Sequence, residues 1–103
     1  MNDDRSVAVT RLWDAHLGTP FPGRLRSVDV AGVTMVLLDA DVAGCVTTWL
    51  DNGGTLDERR WDTLATCELH LERVLPELSG AEAAYFQRLH DMAVLVLESP
   101  PTA

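Results

Sequence analysis

The chain has no lysine: all eight of its basic side chains are arginine. That absence excludes every mechanism that needs an amine, among them Schiff-base catalysis and a phosphate-loop lysine. Cysteine is scarce as well. Cys45 and Cys67 stand alone, each inside an apolar periodic segment rather than in a close-spaced framework. Thiols so placed exclude a disulfide scaffold and read as reduced core residues, which makes a cytoplasmic location the expectation. Long apolar runs are missing too. The longest late one, Met92 to Leu97, is far too short to span a bilayer. The opening "MNDDRSVAVTRLW" carries acids where a secretory signal needs positive charge. Positive charge is in short supply overall: 16 acidic residues face 8 basic ones, for a net charge of -8. Such a surface repels nucleic-acid backbones and anionic membrane faces, so neither is an expected partner.

What is present suffices for a core. Of the 103 residues, 47% are hydrophobic, a share too high for a disordered chain. One domain over 1–103 is expected, with 1–5 and 99–103 as disordered tails.

Val9, Leu12, Trp13, His16 and Leu17 recur at helical spacing, and Gly18 followed by Pro20 stops them, so a first helix is read over about 6–17. "GTPFPG" then fixes a rigid connection whose Phe21 plugs the edge of the core. "RLRSVDV" and "VTMVLLD" flank Ala31-Gly32 and read as a β-hairpin. The second strand, Val33 to Leu38, is apolar on both faces apart from Thr34 and needs cover from helices or another chain. That run, with the hairpin's free edges, predicts a homodimer.

Val42, Cys45, Val46, Trp49 and Leu50 form an amphipathic stripe, read as a helix over about 41–51. A competing reading makes 45–50 a third strand, because "CVTTWL" is rich in β-branched residues and "DNGG" is a good hairpin turn. "TLDE", Thr55 to Glu58, has the form of a capping box, and the face running from Trp61 to Leu78 follows it. Pro76 should end or kink that helix near Val74. "SGAE" at 79–82 opens a last helix whose inner face reads Tyr85, Phe86, Leu89, Met92, Ala93, Val96 and Leu97. The fold class is therefore α+β, mainly helical: an N-terminal helix, a short β-hairpin, then three helices ending in a C-terminal antiparallel helical pair.

The stretch "VLLDAD" raises the question of chemistry. An aliphatic strand ending in Asp39-Ala40-Asp41 resembles the first motif of the haloacid-dehalogenase-like phosphatases. The resemblance implies Asp39 as the group attacking phosphorus, Asp41 as the proton shuttle, and a doubly wound sheet. The chain departs from that family at Val42, Ala43 and Gly44 and lacks its downstream lysine. The structural reading of both acids is a helix start, where each can accept free amides and meet the positive dipole end, worth about 1 kcal/mol.

Cys67, Glu68, His70, Glu72, His90 and Asp91 suggest a metal site across the last two helices. Cys67 sits on the buried stripe, and Glu68 and His70 diverge by about 200°, so no metal or other cofactor is assigned. His16 reads as a packed histidine, and Trp13, Trp49 and Trp61 as core. Arg24 and Arg26 point to one side of a strand and can bind a carboxylate or phosphate. No catalytic constellation emerges. The expected function is a non-enzymatic protein-interaction or regulatory module with a protein partner. The alternative is a ligand binder or small enzyme with a pocket between hairpin and helices, drawing on Asp39, Asp41, Arg24 and Arg26.

Overall fold

The computed structural model describes residues 4–102. In chain order the elements are α1 (Asp4–Leu17), a single 3-10 turn (Gly23–Arg26), β1 (Asp29–Val30), β2 (Val33–Thr34), α2 (Met35–Asp51), α3 (Glu58–Val74), a second 3-10 turn (Leu75–Glu77) and α4 (Gly80–Leu97). The mainly helical α+β architecture agrees with the sequence reading. Residues 45–50 are helical, so the third-strand reading falls away.

The hairpin is far shorter than its apolar content suggests. β1 and β2 pair antiparallel, Asp29 with Thr34 and Val30 with Val33. Ala31 and Gly32 between them both have positive φ, 49° and 78°, as a two-residue hairpin turn of the primed kind requires. The strand expected to reach Leu38 instead turns into α2 at Met35. The reason lies in the period: Met35, Leu38, Val42, Cys45, Val46 and Trp49 are all buried, one helical stripe that begins three residues into the supposed strand. Burying that stripe outweighs the strand preference of the intervening Val36.

α2 packs against α3 and α4 and more lightly against α1, and α4 touches all three other helices. Val42, Val46 and Trp49 meet Leu64 and Leu71 of α3 and Phe86, Leu89, Met92 and Val96 of α4 in one core. Trp13 and Trp61 pack against it at its margin. α3 and α4, joined through residues 75–79, form the C-terminal pair, and Pro76 lies in the 3-10 turn that ends α3 after Val74.

Several local expectations are corrected. The cap of α3 is Asp57, not Thr55: its carboxylate accepts the Arg60 amide at 3.3 Å, while the Thr55 hydroxyl donates to the Asn52 carbonyl. Ser79 occupies the N-cap of α4 without a side-chain cap bond. The described parts of the expected tails, 4–5 and 99–102, are held rather than frayed. Asp4 and Arg5 belong to α1. The Trp61 indole donates to the Ser99 carbonyl at 2.8 Å, and the Thr102 amide donates to the Leu56 carbonyl at 2.8 Å. The Trp61 indole is only partly buried, and the passing tail supplies its acceptor. Residues 1–3 and 103 of the expected tails lie outside the described residues.

Candidate functional site

Because α2 starts at Met35, Asp39 and Asp41 lie within the helix and neither caps it. They also stand on no strand end, and the only sheet among the described residues is the two-stranded hairpin, so the geometry implied by the phosphatase resemblance is absent. Two residues apart on a helix, they point about 200° away from each other.

Asp39 turns toward α1 and α4. Its Oδ1 accepts the Tyr85 hydroxyl at 2.9 Å and lies 3.3 Å from His16 Nε2, which is itself 3.4 Å from the Tyr85 oxygen. The His16 tautomer with a proton on Nε2 is the one that presents a donor to this carboxylate. Trp13 stacks on the His16 ring at 5.4 Å, and Phe21 meets Tyr85 edge-on at 5.7 Å. Burial, the hydrogen bond to Asp39 and its charge together push the Tyr85 phenol well above its ordinary range. The trio resembles a proton relay on paper, but His16 Nδ1 is buried without a hydrogen-bond partner, so no further group continues it. Two clefts on the surface, one between α1 and the end of α2 and one between the hairpin, α2 and α3, are lined by none of its members.

Asp41 faces the other way and lines a shallow cleft of about 260 Å³ between the hairpin, α2 and α3, with Thr34, Leu37, His70 and Arg73 around it. Cys67 lies at the same cleft, its thiol pushed up to about 12, chiefly by burial and secondly by the Asp41 charge. At neutral pH it is a thiol, not a nucleophile. A larger open cleft, about 600 Å³, lies between α1 and the end of α2, where Thr10, Arg11, Leu50 and Gly54 are among its walls.

The arginines join neither acid. Arg24 forms a two-pronged pair with Glu82, at 2.8 and 2.7 Å, which holds the Glu82 carboxyl below and the Arg24 guanidinium above their usual ranges. Arg26 lies 6.0 Å from the centre of the Phe21 ring, at the limit of a cation–π contact. The four candidate side chains therefore go four separate ways.

The surface feature that sequence reading missed is the outward side of α2. Val36 and Leu37 are 42% and 61% exposed. With Ala40, Ala43, Gly44, Thr47 and Thr48 they form a helical face on which no charged side chain lies between positions 36 and 48. The Thr47 and Thr48 hydroxyls donate to the Ala43 and Gly44 carbonyls, so the polar atoms of this face are already engaged. Gly44 sits mid-helix, and a Cβ built on it meets nothing within 4 Å. The missed signal was the same period that located α2: once 35–51 is helical, the positions off the buried stripe are Val, Leu, Ala, Gly and Thr rather than Glu and Arg. Among the described residues, no helix is long and apolar enough to cross a membrane.

No protein-family model matches the chain, and no curated protein or solved structure resembles it significantly.

Proposed function

We propose that this protein is a non-enzymatic interaction module that docks a helix of a protein partner on the outward side of α2. Gly44 carries the reading. Glycine inside a helix costs about 1 kcal/mol relative to alanine, and here neither a left-handed backbone nor a close neighbour within the chain requires it. A partner backbone approaching α2 would require it. Val36, Leu37 and Ala40 supply apolar contact one and two turns before the glycine, and a rigid helix presents them at no ordering cost.

The partner's chemistry follows from the rim. Asp41 and Asp51 border the face, and the net charge of -8 favours a helix whose apolar seam is flanked by arginine or lysine. The same charge opposes a second copy of this chain. The homodimer expectation also loses part of its basis, since 35–38 is helix rather than an uncovered strand, which leaves only the edges of a very short hairpin. A small-ligand site in the cleft at Asp41 is the second reading, favoured by His70 and Arg73 beside it, but only one of the four candidate residues lines that cleft.

Two synthetic helical peptides with the same apolar seam, one with a basic and one with an acidic rim, test the reading by fluorescence anisotropy, alongside sedimentation velocity of the protein alone. The basic peptide should bind, weaken with salt and be lost in Gly44→Leu, whose melting temperature should be no lower than that of the wild type. Equal binding by Gly44→Leu overturns the docking face. A dimer broken by Gly44→Leu reassigns it to a second copy.

A further inference from the structure

The α3–α4 face carries a cluster that the module does not use. Glu68 and Glu72, four apart on α3, put both carboxylates on one side of that helix, and α4 brings His90 against them. One ligand atom from each of the three lies within 4.8 Å of the others. His90 Nε2 is buried and has no hydrogen-bond partner; its nearest acceptor, Glu72 Oε2, is 3.5 Å away and out of hydrogen-bond geometry. Leaving such a nitrogen unpaired costs stability. Glu68 makes no hydrogen bond or ion pair with any described residue. Two carboxylates and an imidazole thus converge with no arginine among them.

We propose that Glu68, Glu72 and His90 bind a zinc-class divalent transition metal. The donor set of one imidazole nitrogen and two carboxylate oxygens is one that zinc accepts with three protein ligands, leaving a fourth position for water. Bonds of about 2.0–2.1 Å in a tetrahedron put neighbouring ligand atoms about 3.4 Å apart, close to the Glu72–His90 separation. Rotation of the half-buried Glu68 side chain closes the remaining distance. Two acids on one helix would give calcium or magnesium too few oxygens, while the imidazole selects for the transition series. Cys67 takes no part: it lies on the α2 side of α3, and Glu68 and Glu72 on the α4 side. His70 likewise lines the cleft at Asp41 rather than this cluster.

Titration of the untagged protein with zinc chloride, followed by calorimetry, tests the site. One equivalent should bind. His90→Gln and Glu68→Gln should each weaken binding at least tenfold at unchanged circular dichroism, and His70→Gln should leave it within twofold. Cobalt in place of zinc should give ligand-field bands without thiolate-to-cobalt charge transfer. No saturable binding, an unaffected His90→Gln, a loss in His70→Gln equal to that in His90→Gln, or a thiolate band would each overturn the assignment. Glu68→Gln reads the site even if His90→Gln fails to fold, because Glu68 is off the buried stripe.

Discussion

The inward and outward sides of α2 are built from similar residues and treated oppositely by the fold. Leu38 and Leu37 are neighbours in the chain, yet Leu38 is 3% exposed within the core and Leu37 is 61% exposed. On the flank toward α1 and α4, Asp39 is matched by Tyr85 and His16. The outward side has apolar groups left partly to solvent and a glycine without a local reason. A network among packed side chains serves the fold; an open apolar face with an unexplained cost serves something outside it. The difference teaches that the chemically suggestive residues are the structural ones here, and the bland residues are where function is to be sought.

The sharpest contrast should appear in truncation of the two leucines. Leu38→Ala should destabilise by about 2–5 kcal/mol and Leu37→Ala by less than about 0.5 kcal/mol in chemical denaturation. Similar losses in both would mean that the outward side is covered by something within the folded chain.

Alkaline pH should probe the inward side next. The Cys67 thiol is raised from 9.0 to about 12, so above pH 9 the unfolded chain releases a proton that the folded chain keeps. Stability should fall as pH rises through that window, at most by about 1.4 kcal/mol per pH unit for this group. Denaturant midpoints of wild type and Cys67→Ala should converge in slope only if another group dominates. Tyr85→Phe is expected to cost about 1–3 kcal/mol, because it leaves Asp39 and His16 short of a partner. It should also remove the share of alkaline instability that begins above pH 10, the phenol's ordinary value. The smallest effect has the opposite sign: Gly44→Ala should stabilise the isolated protein by about 1 kcal/mol, read as a raised melting temperature.

How much of this was legible in the sequence depended on the length of each signal. α3 and α4 carry several turns of unbroken period, and their existence, their pairing and the stop at Pro76 could be read directly. Val33 to Leu38 could not, because a short apolar run fits a buried strand and the first turns of a buried helix equally well. Extending the period backward from Val42 to Leu38 and Met35 decides between them. That single change moved Asp39 and Asp41 from a helix start to a helix interior and removed both the cap and the strand-end resemblance. Tyr85 gave a partial hint, since a buried phenol requires an acceptor, but which acid it meets depends on how α1, α2 and α4 pack. The tail at 99–102 was misread because a short polar end carries no period, and its anchoring by Trp61 and Leu56 is wholly tertiary.

The claim that the outward side of α2 is a docking surface is most directly tested by a photo-crosslinking residue placed at position 37 and, as a control of matched exposure, at position 69 on α3, where Leu69 is 62% exposed. Irradiation of cells producing each variant should give a discrete crosslinked species for position 37, lost on adding Gly44→Leu, and none for position 69. Absence of a species at 37, or the same species at both positions, would contradict the account.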